Sequence, residues 1–310
     1  MKLKPILESW RVQQLMAISP QAKVERSRRK IQEFMSGVDQ MAYVAFSGGL
    51  DSRVLLDLVR TECRLSRERV PAVFVDTGLE YPDVREVALR HADVVLRPKM
   101  TYGAVVKKYG FPVVSKVVSH AVYKIRTTKS EFCKQHYLTG MTHNGPGKAG
   151  VLPAKWRKLL DAPFAISDQC CEVMKKRPSL AYQKQVGRFP MLGMRISDSR
   201  QRRQLYSRRG SCNAFGEKAL SWPMAIWTDE DVWWYVRDRG LDYPAQYDHG
   251  STGTGCFACM FGVHMEPGEN RFQRMYRDNP KMWKACMDGF GCGEVMKFLG
   301  LPTTPDGRGQ

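Results

Sequence analysis

The chain has 310 residues, 43% of them hydrophobic, and is therefore long enough to bury a large core. Its formal net charge of +18 points to anionic partners such as nucleotides or nucleic acids. No apolar run approaches the length of a membrane span, and the charged N-terminus is unlike a secretory signal, so the sequence predicts a cytoplasmic protein without a membrane partner.

Residues 1–40 are basic and predict one or two helices that form an N-terminal appendage. Strand and helix patterns then alternate, with strands predicted at 41–46, 71–76 and 93–96 and helices at 51–63 and 82–91. This alternation predicts a mostly parallel sheet with helices on both faces, that is, a three-layer α/β fold of the Rossmann-like type. Ligands of such sheets bind at the carboxyl ends of the strands.

The second half of the chain predicts mostly helices before a return to the sheet. Residues 100–187 are helical in pattern, with a polar, Gly-rich interruption at 139–150, and 189–193 predict another strand. A helix is predicted over 228–239, with Thr228 as its N-cap and Gly240 at its end. The predicted domains are a basic helical appendage (1–40), a nucleotide-binding domain with a cysteine-bearing C-terminal segment (41–262) and a C-terminal helical tail (263–310).

A distinctive string follows the first predicted strand, and it consists of Ser47, Gly48, Gly49, Leu50, Asp51 and Ser52. Two glycines turn the chain, and a helix is predicted to begin at Asp51. Backbone N–H groups and the helix N-terminus then form a concave anion site, to which the hydroxyls of Ser47 and Ser52 add donors. The spacing is not that of a Walker A loop, so the string predicts phosphate binding without γ-phosphoryl transfer.

Four of the nine cysteines form two close pairs, which are Cys170 with Cys171 and Cys256 with Cys259. The pairs are separated by 84 residues. An odd number of cysteines without a secretory signal argues against a disulfide framework. Two thiol pairs suit zinc or an iron–sulfur cluster, and the alternative is that they are small buried hydrophobic residues.

The loop and the cysteine pairs together resemble the 4Fe-4S-binding sulfonucleotide (adenylyl-sulfate and phosphoadenylyl-sulfate) reductases, which belong to the adenine nucleotide alpha-hydrolase, or pyrophosphate-loop, superfamily. The segment 74–82 is similar to a family segment near the nucleotide, and 193–200 is similar to an arginine-bearing family loop. The resemblance covers about residues 40–262. Many family members carry Lys where this chain has Leu50, which removes one positive charge from the phosphate site.

This resemblance implies a set of ligands and site residues. The ligands are ATP or an adenylyl sulfonucleotide, Mg²⁺ and a 4Fe-4S cluster held by Cys170, Cys171, Cys256 and Cys259. The nucleotide contacts are Ser47, Gly48, Gly49, Asp51, Ser52, Asp76, Thr77 and Gly78. The catalytic candidates are Asp51, Arg195, Arg200 and Cys292. In the family a C-terminal cysteine followed by a histidine attacks sulfur, and Cys292 is the stand-in here, without that histidine.

Three functions remain open at this point. The intact loop favours an ATP pyrophosphatase-type enzyme that adenylylates an acceptor for sulfur transfer. The overall resemblance favours a sulfonucleotide reductase, and the departures from the family pattern leave room for a non-catalytic nucleotide sensor or nucleic-acid-binding regulator. The expected partners are a sulfur or thiol donor (a desulfurase or a thioredoxin-like protein), tRNA or DNA bound by a basic block that includes Arg26, Arg28 and Arg29, and a second copy of the chain.

Overall fold

The computed structural model describes residues 6–147, 149–251 and 253–307. The helices are α1 (Ser9–Met16), α2 (Pro20–Gly37), α3 (Leu50–Asp57), α4 (Pro82–His91), α5 (Tyr102–Tyr109), α6 (Lys116–Thr127), α7 (Glu131–Thr139), α8 (Gln169–Cys171), α9 (Arg177–Val186), α10 (Arg200–Arg209), α11 (Asp229–Arg239), α12 (Arg271–Asp278), α13 (Pro280–Lys284) and α14 (Cys292–Leu299). The strands are β1 (Ala42–Phe46), β2 (Ala72–Val75), β3 (Val94–Leu96), β4 (Val113–Val114), β5 (Phe189–Leu192), β6 (Asn213–Ala214), β7 (Leu220–Ser221) and β8 (Met260–Phe261).

Six strands form the main sheet in the order β3-β2-β1-β5-β7-β6. All neighbours pair in parallel except β6 and β7, which are antiparallel. The chain builds outward from β1 through β2 to β3 and then returns to place β5 on the other side of β1. The carboxyl ends of β1 and β5 therefore flank a topological switch point, the place where open α/β sheets bind ligands.

The chain divides into two compact units. The first consists of the described residues of Met1–Asp76, Glu80–Arg97 and Pro178–Thr254, and the second of those of Thr77–Leu79, Pro98–Arg177 and Gly255–Gln310. Both units are discontinuous in sequence, so this division cuts the chain at other positions than the predicted segments 1–40, 41–262 and 263–310. Composition and turn signals mark linkers along the chain, but they do not show which distant segments pack together.

The long N-terminal helix, α2, belongs to the core of the first unit and is not an appendage. Ile31, Phe34 and Met35 on its inner side are buried and join the cluster of apolar residues around the main sheet. The basic residues that suggested an appendage include Arg29, which lies on the outer side of the same helix and is exposed. An amphipathic helix of this kind covers one face of a sheet.

A buried ion pair connects α2 to α11. The Lys23 Nζ atom lies 2.5 Å from Asp231 Oδ2, and the two residues are only 2% and 5% exposed. Asp231 also accepts hydrogen bonds from the backbone N–H and the hydroxyl of Thr228, which caps α11. One turn further along α2, the Ser27 hydroxyl accepts a hydrogen bond from the Trp227 indole N–H. These contacts fix the N-terminus of α11, which borders the candidate site described below.

The second unit is mostly helical. Its two short strands, β4 and β8, pair in parallel, and Phe111 forms an isolated bridge with Ile166. The Tyr102 hydroxyl of α5 donates to the carbonyl of Ala258, and its ring meets Phe290 edge-on at a centroid distance of 5.0 Å. These contacts join α5 to the segment that carries the second cysteine pair.

The α/β class and the mostly parallel sheet are confirmed, and the predicted helix 228–239 is observed as α11 with Thr228 as its cap and Gly240 in the left-handed conformation. The predicted helix 51–63 differs, because its α-helical part ends at Asp57 and a wider π-type turn continues from Leu58 to Glu62. The strands β4, β6, β7 and β8 were not predicted, because two-residue strands have no readable periodicity. In the described part of the chain, no helix has the length and apolar character needed to cross a membrane.

We expect Lys23→Met to destabilise the protein by about 3–5 kcal/mol, because it leaves the buried carboxylate of Asp231 without its cation. The matched control is Lys30→Met on the same helix, whose partner Glu33 is largely solvated, and this change should cost less than about 1 kcal/mol. Urea unfolding of the two variants measures the difference. Equal losses of stability for the two variants would contradict the assignment of Lys23–Asp231 as a structural pair.

Candidate functional site

A cavity of about 570 Å³ lies in the first unit, at the carboxyl ends of β1 and β5. One part of its wall is polar and contains Ser47, Asp51, Ser52, Arg195, Asp229 and Thr254. Another part is apolar or aromatic and contains Leu192, Met194, Val232, Trp233 and Tyr247. A polar end beside an apolar wall suits a ligand that combines an anionic group with a flat ring.

The predicted phosphate loop occupies one side of this cavity. The Ser52 hydroxyl donates to the carbonyl of Gly49 at 2.9 Å and accepts from the Ser47 N–H at 3.2 Å, so Ser52 ties the loop together internally. The Ser47 hydroxyl is 3.1 Å from that of Ser52 and lies at an exposed position. Helix α3 begins at Leu50, and the N–H groups of its first turn lack intrahelical acceptors. Ser47 and this helix end are therefore the donors that a phosphate would meet.

Two glycines allow the close approach of other segments to this loop. Gly48 has φ of +78°, and a Cβ atom there would lie 2.5 Å from the carbonyl oxygen of Val84. Gly193, directly after β5, packs against the backbone of Asp51, where a Cβ atom would lie 2.9 Å from its carbonyl carbon. Side chains at either position would push the loop out of place.

A segment that the sequence did not single out as part of the site packs over the loop. The Leu50 N–H donates to the Tyr247 hydroxyl at 3.3 Å. A Cβ atom on Gly49 would lie 2.6 Å from the Thr254 hydroxyl, so Thr254 also reaches the loop. The glycine-rich segment 243–261 has little periodicity, and the sequence signal for this contact is weak, since Tyr247 is one of several aromatic residues there.

Arg195 is the central cation of the cavity, and its side chain is only 9% exposed. Its Nε atom lies 3.0 Å from Asp51 Oδ1 and its Nη1 atom 2.7 Å from Asp229 Oδ1, while Nη2 lies 3.3 Å from Asp198 Oδ1. Within the described residues the Nε and Nη1 donors nevertheless lack hydrogen-bond geometry with an acceptor, so these contacts are ion pairs with poorly aligned N–H groups. Asp229 is 77% exposed and is therefore the carboxylate that an incoming anion can most easily replace.

The charges around Arg195 shift the pKa of two groups. Burial lowers the pKa of Arg195, but the three neighbouring carboxylates outweigh it and raise the pKa above its ordinary value. Burial raises the pKa of Asp51 to about 6, and Asp198 and Asp229 add to this shift while Arg195 opposes it. Asp51 therefore changes its protonation state close to neutral pH.

The other predicted nucleotide and catalytic residues are placed differently. Asp76, at the end of β2, makes a two-pronged contact with Arg85, at 3.1 Å from Nε and 2.8 Å from Nη2. This carboxylate is therefore engaged by a cation of α4. Thr77 and Gly78 belong to the second unit, where the Leu79 N–H donates to the Thr77 hydroxyl at 3.2 Å. Arg200 is the first residue of α10 and is exposed.

The second unit brings the four predicted cysteine ligands into one neighbourhood. Cys170 is buried, and Cys171, Cys256 and Cys259 are half-buried. Burial raises the pKa of Cys170, and the other three thiols raise it further. Burial also raises the pKa of Cys259, and the backbone of Phe261 and the cation of Arg271 oppose this shift.

The donor chemistry of this cysteine group suits a thiophilic metal centre, since four thiols from two chain segments are electrostatic neighbours. The four side chains are not arranged around a common position. Throughout 6–147, 149–251 and 253–307, no group of three or more His, Cys, Asp or Glu side chains is arranged to hold a metal ion. The geometry therefore confirms neither the expected 4Fe-4S cluster nor the expected Mg²⁺.

Cys292, the predicted nucleophile, is completely buried at the start of α14. It forms a thiol–thiol hydrogen bond with Cys286, which is the main cause of the raised pKa of Cys286, and burial adds to it. A buried and paired thiol is not exposed to a substrate in this conformation. Its role as a nucleophile stays a prediction.

Comparison with known proteins shows which family model part of the chain resembles. Residues 113–261, just under half of the chain, match the family model described as phosphoadenosine phosphosulfate reductase domain. This part of the chain is therefore similar to a phosphoadenosine phosphosulfate reductase domain. The matched region of this reductase-family domain contains both cysteine pairs and Arg195 but not the phosphate loop. The resemblance noted in the sequence is thus supported over residues 113–261.

Individual proteins that resemble the chain do so over short stretches or at low identity. Adenosine 5'-phosphosulfate reductases from two strains of Staphylococcus epidermidis are 39% identical over 41 residues, which is 13% of this chain and 17% of theirs. A crystal structure of phosphoadenylyl-sulfate (PAPS) reductase from Candida auris, a phosphate complex, superimposes with a TM-score of 0.41 at 16% identity. That superposition covers 81% of this chain and 96% of the other.

We expect Asp51→Asn to change how stability depends on pH. An Asp with an unfolded pKa near 3.9 and a folded pKa of about 6 binds its proton more tightly in the folded state. The free energy of unfolding of the wild type should therefore fall relative to Asp51→Asn as the pH rises from about 4 to about 6 and stay parallel above that range. Urea unfolding at intervals of half a pH unit measures this.

Asp242 provides the control of opposite sign for this experiment. Although burial raises the pKa of Asp242, hydrogen bonds from His91 and Arg53 dominate and lower it to about 2. Wild type should lose stability relative to Asp242→Asn as the pH falls from about 4 towards 2. Parallel curves for wild type and Asp51→Asn between pH 4 and 6 would show that Asp51 has no raised pKa.

Proposed function

We propose that the protein is a sulfonucleotide reductase that binds adenylyl sulfate or its 3'-phosphate in the cavity of the first unit. The observation that carries this proposal is the buried Arg195 beside the phosphate loop, whose Nε and Nη1 donors lack aligned acceptors among the described residues. A guanidinium in this position matches the oxyanions of phosphate and sulfate. The reductase-family domain over 113–261 and the short matches to adenosine 5'-phosphosulfate reductases support the substrate class.

Different residues of the cavity would bind different parts of the nucleotide. Ser47 and the N-terminus of α3 provide donors for the phosphate, and Arg195 balances the charge at the reacting end. Trp233 and Met194 offer an apolar wall for the adenine ring. The anion takes the place of the exposed Asp229 carboxylate, so binding exchanges one ion pair of Arg195 for another.

The reaction needs two electrons from two thiols. One thiolate attacks the sulfur atom, the bond from that sulfur to the bridging phosphate oxygen breaks, and the adenosine monophosphate leaves. The second thiol then attacks the sulfur that carries the sulfonate, which releases sulfite and leaves a disulfide and two protons. Because Cys292 is buried and hydrogen-bonded to Cys286, we assign both thiols to an external dithiol donor.

A second candidate function is adenylylation with ATP, and the intact loop from Ser47 to Ser52 favours it. In this reaction an acceptor oxygen attacks the α-phosphate of ATP, pyrophosphate leaves, and a sulfur donor later displaces the adenylyl group. The loop would bind the pyrophosphate portion, since its donors are the first-turn N–H groups of α3 and the Ser47 hydroxyl.

We also propose that Cys170, Cys171, Cys256 and Cys259 hold a 4Fe-4S cluster. The mutual effect of these thiols on the pKa of Cys170 supports their proximity. Arg271 donates to the Cys259 carbonyl at 3.2 Å and, with Lys175, places positive charge beside the thiolates. When bound, such a cluster would supply electron-transfer or electrostatic chemistry to the second unit.

We expect Ser47→Ala to weaken the binding of adenylyl sulfate by about 10- to 100-fold, because a hydrogen bond to a charged group contributes about 1.5–3 kcal/mol. Ser66→Ala, an exposed serine of the same unit outside the cavity, should leave binding unchanged. Calorimetric titration of both variants measures the effect. Equal affinities for both variants would show that the loop does not bind the nucleotide.

Turnover distinguishes the two functions. Anaerobic protein is incubated with a dithiol and with ATP, adenylyl sulfate or phosphoadenylyl sulfate, and sulfite and pyrophosphate are measured. Sulfite from a sulfonucleotide supports the reductase, and it should persist in Cys292→Ser when the dithiol is external. Release of pyrophosphate from ATP in the presence of an acceptor for sulfur supports adenylylation. Nucleotide binding without either product would overturn both and leave a nucleotide sensor.

We expect anaerobically purified protein to be brown and to contain iron and acid-labile sulfide. Cys171→Ser and Cys256→Ser should lose both, because thiolate ligation holds the cluster. Cys133→Ser is the matched control and should keep its iron, since Cys133 lies outside the proposed ligand set. Stoichiometric zinc without sulfide in the wild type would refute the cluster.

A further inference from the structure

The positive charge of the first unit is distributed unevenly over its helices. Helix α10 has the sequence RQRRQLYSRR, with five arginines and no acidic residue among ten positions. The basic block of α2 is different, because three of its four cations contact carboxylates of the same helix. Arg28 and Arg29 both contact Glu25, and Lys30 contacts Glu33. The excess charge is thus concentrated on α10 rather than on the block at 26–30.

The arginines of α10 differ in their partners. Arg202 pairs with Asp198, Arg203 contacts the Met16 sulfur, and the guanidinium of Arg209 lies over the Trp222 ring. Arg200 and Arg208 are both exposed, and neither has an acidic partner within the described residues. These two cations are available to an external ligand.

One exposed face of α10 combines these cations with amides, and it consists of Arg200, Gln201, Gln204, Leu205 and Arg208. We call this set the α10 face. Its two arginines are eight residues apart, or about 12 Å along the helix axis. The opposite side of the helix is anchored, since Tyr206 is buried and hydrogen-bonded to Arg26, and the Leu7 N–H donates to the Ser207 carbonyl.

We propose that the α10 face binds the phosphodiester backbone of a nucleic acid. Arginine forks fit phosphate oxygens, and glutamine amides add neutral donors to phosphate or sugar. Two cations about 12 Å apart on a rigid helix suit a ligand that repeats its negative charge along its length, whereas one nucleotide would reach only one of them. This proposal does not rest on sulfonucleotide reduction, because the face lies outside the set of residues that line the cavity.

The test uses fluorescence anisotropy with a labelled 20-base-pair DNA duplex and a labelled RNA hairpin, each titrated at two salt concentrations. The variant Gln204→Glu/Arg208→Glu reverses the charge of the face. The matched control, Gln32→Glu/Arg29→Glu, makes the same change at exposed positions of α2. We expect the α10 variant to bind at least 10-fold more weakly, with a salt slope smaller by about one counterion, and the control to stay within about twofold of wild type.

Several results would overturn the proposal. Equal losses in the α10 variant and the α2 control would show a general charge effect, and unchanged affinity in the α10 variant would show that binding occurs elsewhere. Binding of wild type to anionic phospholipid vesicles but to neither nucleic acid would assign the face to a membrane surface. Preference for the duplex or the hairpin identifies the nucleic acid. Calorimetry with adenylyl sulfate on the same proteins reports the cavity separately, so failure of one proposal is distinguishable from failure of the other.

Discussion

The buried guanidinium of Arg195 is the interaction on which the cavity of the first unit depends. A cation with 9% side-chain exposure is stable only when carboxylates surround it, and it has three. Asp51 comes from the first turn of α3, Asp198 from the turn before α10, and Asp229 from the first turn of α11. One charge therefore connects the N-terminal regions of three helices, and a helix N-terminus carries positive partial charge that favours an anion nearby.

This arrangement also limits what the cavity can bind. Three carboxylates around one guanidinium leave this part of the cavity without surplus positive charge. The chain has Leu50 at a position where a lysine would add a positive charge. An anionic ligand would meet less repulsion at Arg195 if it displaced a carboxylate or if a carboxylate were protonated. The pKa of Asp51, raised to about 6 mainly by burial, shows that the second route is accessible near neutral pH. If the proposed nucleotide binds here, its affinity should therefore depend on the protonation of Asp51.

Features encoded within a short stretch were predictable from the sequence. The loop from Ser47 to Ser52 depends on two glycines and a following helix, and the cap of α11 depends on Thr228, so local patterns were sufficient. Contacts between distant segments were not. Nothing in residues 243–261 indicates that Tyr247 reaches the phosphate loop, because that contact exists only after α11 has packed.

The sequence also does not show which charges of the two basic blocks are paired. In composition, 26–30 and 200–209 are both rich in cations, but only the structure shows that Glu25 binds two cations of the first block. The cysteine pairs were predictable in part. Their spacing suggested a shared site, and the four thiols are electrostatic neighbours, but in the described residues they are not arranged to hold a metal ion.

The position of α2 has a consequence for how the chain folds as it is synthesised. Lys23 and its partner Asp231 are separated by 208 residues, and the part of the second unit from Pro98 to Arg177 is made between them. At about 5–20 residues per second, Lys23 is synthesised roughly 10–40 s before Asp231. Throughout that interval the apolar side of α2, with Ile31 and Phe34, has no completed sheet to cover. The first unit therefore depends on contacts between residues far apart in sequence, and the apolar side of α2 stays uncovered until those later segments have been made.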